Sequence, residues 1–573
     1  MNKFFNFAGI FTVIFLCVIL SFSCSSAGSS STPSPSSDPT PQFEPADLTM
    51  PDLGSNTINP ADKTAAQIVD MMQFGWNLGN TLDANFEGNQ WSKQVGGEEV
   101  DWGLKNRATF ALFRKLKASG LKCVRIPISW HNHVDSEFNI DPAWMDHVQM
   151  VVNKAYGEGL FVIINIHHDN YKGIGNLGTQ AGFTLLDDDY TQSEKFVKKI
   201  WAQIAERFKN YDAHLIFEVL NEPRIIGGDH EWNCPKNWKN CDVCNASCSN
   251  ILKLNQAALD TIRDTGGNNC YRFLMIPPYV AAPYAAINGK NVRNFSLPRD
   301  NPDNRLILSV HMYSPYEFAM ANPGHKEYNS DDYNALESVF TDLNNEYSSK
   351  EIPVVIGEMG ATNRNNFEER RKWFEHYLSL CNKYKIAALL WDNGNEINSS
   401  DPSEAFGFIN RKSNSPDWFA VSRVSELIAA AVDARTAVLT SIWTGSQDIK
   451  HWNSDDGVSI EASKFSNAND SSYLLITVKK GAECSDQSCS NDYSMIQPVL
   501  GDWNVMELNI ATDTAGASIV DSKQLDITQL VSDDGTHTVK MIPTASVWTQ
   551  IKEKGVCLYG HKTVITKVEL KHN

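Results

Sequence analysis

The sequence predicts an α/β (β/α)8 barrel over residues 59–432, followed by an all-β sandwich over 433–573. Three observations predict it. Eight short apolar runs recur between residues 73 and 394, several nearly continuous, as parallel strands buried on both faces require. Amphipathic stretches lie between them, the alternation of a strand–helix barrel. Near residue 435 the pattern changes to short alternating stretches divided by Gly, Asn, Asp and Ser, which reads as an antiparallel sandwich.

The elements follow in chain order. Residues 1–23 read as an export signal: Lys3 carries positive charge and Ile10 to Leu20 is an apolar run too short for a mature membrane span. Cys24 follows directly, which predicts lipoprotein processing and a membrane tether outside the cytoplasm, with plain secretion the alternative. Residues 24–58 form a linker whose Ser-, Pro- and Thr-rich stretch, 25–45, lacks the apolar surface to fold. The eight predicted strands are 74–78, 122–128, 160–166, 215–220, 271–276, 305–310, 352–356 and 386–390. Helices are expected over 108–119, 191–208 and 367–384, and later strands over 473–478, 505–510, 538–542 and 563–570.

Polar and aromatic residues close the apolar runs. The second gives Arg125 within Val124-Arg125-Ile126-Pro127, the third ends in His167-His168-Asp169, the fourth in Asn221-Glu222 and the fifth in Tyr279. His311-Met312-Tyr313 ends the sixth, Glu358 the seventh and Trp391-Asp392-Asn393 the eighth. Each alone reads as structural. Together they converge on one barrel mouth, where such folds carry their chemistry. Glu222 and Glu358, about 135 residues apart, are the two carboxylates that glycosidic bond cleavage needs, one to protonate the leaving oxygen and one to attack the sugar carbon. Asp187-Asp188-Asp189 and Glu368-Glu369 read instead as solvated loops or helix starts. His167-His168 finds no credible partner for a metal, and neither metal nor cofactor is expected at the site.

The chain is similar to glycoside hydrolase family 5, the cellulase family, and within it to the endo-β-1,4-glucanases and xyloglucanases of subfamily 4. The motifs are Gly75-Trp76-Asn77-Leu78-Gly79-Asn80-Thr81-Leu82-Asp83, Val124-Arg125-Ile126-Pro127, Ile166-His167-His168, Leu220-Asn221-Glu222-Pro223, His311-Met312-Tyr313, Ile356-Gly357-Glu358-Met359-Gly360 and Trp391-Asp392-Asn393-Gly394. The resemblance implies a TIM barrel and a retaining mechanism, with Glu222 as general acid/base and Glu358 as nucleophile. Their carboxyls are then expected about 5 Å apart, with one pKa pushed up. It further implies that Arg125 and Tyr313 hold Glu358, that Asn221 bonds the sugar 2-hydroxyl, and that His311 tunes Glu222. His167, His168, Asn80, Trp102 and Asp392 would bind substrate, with Trp391 as a floor beneath the sugar. Trp130 divides evenly between substrate and packing; Trp144 reads as core. The implied substrate is a β-1,4-glucan; mannan and xylan are the alternatives, and a non-catalytic glycan-binding surface protein is a third reading.

The chain has 573 residues and net charge −18, from 50 basic and 68 acidic residues, with no basic tract, so nucleic acid is excluded as a partner and a monomer is expected. Cys234, Cys241, Cys244 and Cys248 crowd one stretch after Pro223. In an exported chain they read first as two loop-stapling disulfides, although Cys241 and Cys244 have the C-x2-C spacing of a zinc knuckle. This insertion, with Trp232 and Trp238, is expected beside the leaving-group side of the cleft. Cys484 and Cys489 read as another staple, Cys123 and Cys381 as core thiols. The β region resembles carbohydrate-binding modules, with Trp452, Trp503 and Trp548 as a possible platform.

Overall fold

The computed structural model describes residues 48–85, 102, 108–171, 181–232, 234, 241–287, 295–397, 402–411, 415–452, 454–470, 472–481, 493–501, 510–533 and 535–572. The export segment, Cys24, most of the linker, Trp238, Cys484, Cys489 and Trp503 lie outside these residues.

All eight expected strands form. They are β1 (Phe74–Asn77), β2 (Cys123–Ile126), β3 (Phe161–Asn165), β4 (Leu215–Glu218), β5 (Leu274–Ile276), β6 (Leu306–His311), β7 (Val354–Met359) and β8 (Ala387–Leu390). They close a parallel barrel in sequence order, β8 pairing back onto β1. The three expected helices are Phe110–Ala118, Tyr190–Phe208 and Phe367–Tyr384.

Alternation along each strand divides two cores. Outward side chains pack against the helices. There Trp201, from Tyr190–Phe208, is fully buried and donates from Nε1 to the Val219 carbonyl at 2.9 Å. Trp373 likewise donates to the Ser314 carbonyl at 3.0 Å. These indoles anchor the backbone that leaves β4 and β6, where functional side chains sit.

Inward, Cys123, Phe161, Ile163, Ile216, Ile307 and Leu389 pack with Ile68, Val69 and Met72. Those last three belong to the helix Ala65–Met72, which opens on a capping box between Thr64 and Gln67 and plugs the lower end of the barrel. Two residues further along the strands the interior turns polar, at Asn77, Arg125, Asn165, Glu218 and Ser309, all buried. Above them the β6–β7 register shifts between Val310 and His311, a bulge that sets His311 opposite Glu358.

The helix Val424–Thr436 ends the barrel, and the first strand of the β domain, Val438–His451, starts one residue later. The Ala437 carbonyl between them accepts from Asn382 Nδ2 at 2.5 Å. The β domain is antiparallel around its last strand, Val556–His572. One half of that strand pairs with Val458–Ile460 and Met495–Leu500, the other with Val438–His451 and Tyr473–Lys480. Three expected strands fall on Tyr473–Lys480, His537–Pro543 and the last strand; of the fourth, only Ile510 is described, in Ile510–Ala511. The helix Ala545–Lys554 was not anticipated. It buries Trp548 in the domain core, with Nε1 donating to the Ser472 carbonyl at 3.1 Å. Trp548 therefore belongs to no binding platform, because its faces are covered and its one donor is used.

Candidate active site

Arg125 organises the barrel mouth. Its side chain is wholly buried, and a buried guanidinium needs paired acceptors. Nε donates to Glu218 Oε2 at 2.8 Å and Nη2 lies 2.6 Å from the same oxygen. Nη1 donates to Glu358 Oε1 at 2.8 Å and to Asn77 Oδ1 at 3.0 Å. Nη2 also donates to Asn221 Oδ1 at 2.6 Å. One cation thus links two carboxylates and fixes two amides.

Glu218 is a residue the sequence reading missed. It sat inside an apolar run, yet its period-2 position points it inward. Ser309 donates to Oε1 at 2.6 Å and Asn165 to Oε2 at 2.9 Å. Burial pushes its pKa up, but Arg125 and His311 outweigh that and hold it down to about 2. It is therefore held as an anion at neutral pH beneath the site.

Glu358 closes β7. Tyr313 donates to its Oε2 at 2.8 Å. Burial, then the Glu358 charge, drive the Tyr313 phenol well above its ordinary value, so it stays a donor. Glu222 lies opposite, beyond β4. Its Oε1 is 2.8 Å from His311 Nδ1, and its Oε2 is 3.6 Å from Arg224 Nη1. Oxygens of Glu222 and Glu358 lie within 4.8 Å of one another. That spacing leaves no room for a water held between the two.

The expected raised carboxyl is not what the free site holds. Burial raises Glu222, but hydrogen bonding and charge from His311, then Arg224, bring it below the ordinary value. Burial alone would lower His311; the Glu358 charge and hydrogen bonds to Glu218 and Glu222 raise it to about 9. These opposite shifts favour the proton on His311, whose Nδ1 lies 2.8 Å from Glu222 Oε1. Gly357 permits this packing: a Cβ there would meet His311 Nε2 at 3.1 Å.

An aromatic line borders the carboxylates. Trp102 lies 5.6 Å from His168, His168 lies 4.3 Å from His167, and His167 is parallel to Trp391 at 6.1 Å. His167 accepts from Asn165 Nδ2 at Nδ1, and burial holds it neutral. Asp83 lies beneath both histidines, 4.0 Å from His167 Nε2 and 3.8 Å from His168 Nε2, and burial raises it to about 7. The sequence reading had found no third group beside this pair. Gly79 must lack a side chain, because a Cβ would meet the Trp391 indole at 2.9 Å. Asn80 is partly exposed beyond β1, in the left-handed conformation its residue type tolerates (φ 52°).

Other predicted residues lie away from the cleft. Asp392 is wholly buried and accepts from Trp76 Nε1, Gly394 N and Ile409 N at 2.8, 2.8 and 3.0 Å. Its oxygens brace the loop carrying Trp391 and do not face the cleft. Trp130 is buried and donates to the Asn165 carbonyl; Trp144 is buried and stacks on His133. Tyr279 is buried and bonds the carbonyls of His230 and Glu231 in the cysteine-rich insertion. Asp187 and Asp188 are exposed ahead of a helix and Glu368 and Glu369 open another, whereas Asp189, expected to be solvated with them, is buried. Among the described residues Cys123, Cys234, Cys241, Cys244, Cys248, Cys270, Cys381 and Cys557 form no disulfide. The expected disulfides of the insertion are not formed, because three of its sulfurs meet at one point with His230.

The sequence profile of Cellulase (glycosyl hydrolase family 5) matches residues 82–397. Endoglucanase 1 of Ruminococcus albus is 39% identical over 350 residues, 61% of this chain and 77% of that protein. Endoglucanase B of Neocallimastix patriciarum is 35% identical over 351 residues, 61% and 68% of the two chains. A GH5-4 broad-specificity endoglucanase from Ruminococcus champanellensis, solved with bound cellotriose, superposes with TM-score 0.56 at 36% identity, covering 65% of this chain and 99% of its own. A GH5 family lichenase from a Caldicellulosiruptor species superposes with TM-score 0.58 at 35% identity, covering 68% and 99%. The closed barrel, its paired glutamates and these matches agree: the chain belongs to glycosyl hydrolase family 5, the cellulases.

Proposed function

We propose that the protein is an endo-acting, retaining β-1,4-glucanase in which Glu358 attacks the anomeric carbon and Glu222 is the acid/base. The observation that carries this reading is the pair of carboxylates with oxygens within 4.8 Å, placed in unlike surroundings. Glu358 has Arg125 and Tyr313 as donors, one to each carboxylate oxygen, which fix the carboxylate in place for attack. Glu222 has His311 Nδ1 at 2.8 Å, an imidazole whose raised pKa makes it the proton source. A sugar entering the cleft excludes water and raises Glu222, so the proton passes from His311 Nδ1 to Glu222 and on to the glycosidic oxygen as that bond breaks. Glu358 then forms the glycosyl ester. In the second step Glu222 takes a proton from water as the water oxygen displaces Glu358, and it returns that proton to His311 Nδ1 as product leaves.

Asn221 gives its carbonyl to Arg125, which leaves its amide hydrogens for the sugar 2-hydroxyl. Trp391, His167, His168 and Trp102 form the side of the cleft, with Trp391 beneath the sugar at the cleavage point. Every group in this scheme comes from one chain, so a monomer suffices. The solved neighbours titled broad-specificity endoglucanase and lichenase support a glucan backbone. Export with lipid attachment at Cys24 rests on the apolar run preceding it, and palmitate labelling that survives Cys24→Ala would refute it. For the β domain, Trp452 is the remaining described candidate for glycan contact. It is half-buried, donates to Tyr493 Oη at 3.1 Å and packs edge-on to Tyr559.

A product assay on carboxymethylcellulose, mixed-linkage glucan, xyloglucan, mannan and xylan tests the reading. Rapid viscosity loss with short oligosaccharides from the glucans is expected. Faster turnover of mannan or xylan would replace the substrate class and leave the catalytic pair intact.

A further inference from the structure

We propose that His230, Cys234, Cys241 and Cys244 form a structural zinc site in the insertion that follows Glu222. The Nδ1 of His230 and the three Sγ atoms lie within 4.8 Å of one another, and both Cys241 and Cys244 are buried. His230 Nδ1 is 3.7 Å from Cys241 Sγ and 3.4 Å from Cys244 Sγ. A zinc ion bound at about 2.3 Å to sulfur and about 2.0 Å to nitrogen makes a tetrahedron whose N···S edges are about 3.5 Å. The two N···S separations, 3.7 and 3.4 Å, match those edges, and the third sulfur lies within 4.8 Å of the other donors.

Chemistry favours a closed site. One nitrogen and three thiolates are a soft, complete set of four, which selects zinc over magnesium or calcium and leaves no open position for catalysis. A disulfide would use two of the three converging sulfurs and strand the third against the imidazole. Cys248, one turn further along the helix, packs against the barrel core and is not part of the set. Cys241 precedes the helix Asp242–Asp264 and Cys244 lies in its first turn, so the amides of Val243 and Cys244 reach the Cys241 sulfur.

The surroundings hold the histidine in place and say what the ion would do. Tyr279 Oη bonds the carbonyls of His230 and Glu231 at 2.8 and 3.1 Å. The Glu231 carboxylate accepts from Arg224 Nε at 3.1 Å and from Gly227 N at 2.9 Å. Arg224 in turn donates to the Glu222 carbonyl at 3.1 Å and lies 4.8 Å from the Trp232 ring, which is 58% exposed. The ion would clamp the far end of this insertion to the helix and so steady Arg224 and Trp232 beside the glutamate. Binding releases the thiol protons to solvent.

The metal content of the full chain, purified without chelator, tests this. About one zinc per chain should survive desalting and be lost from Cys241→Ser and Cys244→Ser, but not from Cys248→Ser. The chelated wild type, reloaded with Co2+, should show thiolate charge-transfer and tetrahedral ligand-field absorption, and Zn2+ should raise its thermal midpoint. Because these readouts use the wild-type chain, a variant that fails to fold does not blunt the test. Reduced protein that binds neither ion, or a peptide map joining any two of Cys234, Cys241 and Cys244 by a disulfide, would overturn the site.

Discussion

Arg125 and the carboxylates around it concentrate most of the chemistry in a few atoms. Its guanidinium is shared between Glu218, which stays anionic well below neutral pH, and Glu358, which must become an ester and return. Glu218→Gln removes half of that pairing inside a dry core, and a stability loss on the order of 3 kcal/mol is expected in urea titration. An unchanged midpoint would show that Glu358 alone satisfies the arginine. Tyr313→Phe deletes one donor to a charged oxygen. A loss of about 1.5–3 kcal/mol, or roughly 10–100-fold in kcat/KM, should follow with folding intact. Asn221, His311 and both glutamates were legible in the sequence because each follows or closes an apolar run, and Arg125 because the Val124-Arg125-Ile126-Pro127 motif marks it. Glu218 was hidden because one carboxylate among Leu215, Ile216, Phe217 and Val219 reads as part of a strand. His230 was hidden for another reason: it joins the cysteines only through the turn that Tyr279 holds.

At the scale of elements, the barrel strands were legible because burial on both faces leaves almost no polar interruption. The helix limits were legible from amphipathic spacing, and Phe367–Tyr384 agrees to the residue. The β domain was harder. Val438–His451 is bulged between Ser441 and Trp443 and again between Thr444 and Gln447, which breaks the alternation that marks a strand. Ala545–Lys554 is short and charged, with Val547, Trp548 and Ile551 its buried residues, so its apolar stripe is faint. The indole anchors make a prediction here. Trp201→Ala would open a cavity between helix and barrel and strand the Val219 carbonyl, costing about 3–5 kcal/mol. Because Val219 precedes the Asn221-Glu222 pair, kcat should fall as well. Full activity at a temperature where the variant is folded would mean that β4 holds the glutamate unaided.

The whole molecule carries its site charges into its pH stability. His311 is held at about 9, above its ordinary 6.5. Its contribution is therefore complete below about pH 6.5 and is lost as pH rises through about 9. Glu218, held at about 2, works in the opposite sense: its contribution is complete above about pH 4.5 and is lost as pH falls through about 2. Urea midpoints should form a plateau between these limits, and His311→Asn should flatten the alkaline fall. A fall of unchanged size in that variant would place its origin elsewhere. The order of motifs along the chain made the barrel and its chemistry legible; the sugar that fits the cleft depends on loop shapes that no strand pattern encodes.

Azide rescue tests the division of labour between the two glutamates most directly. With an activated cellobioside, whose leaving group needs no proton, azide should restore turnover to Glu358→Ala with an inverted glycosyl azide. It should restore turnover to Glu222→Ala with a retained one. Exchange of the two stereochemical outcomes, or near-normal unaided turnover of natural glucan by either variant, would contradict the assignment.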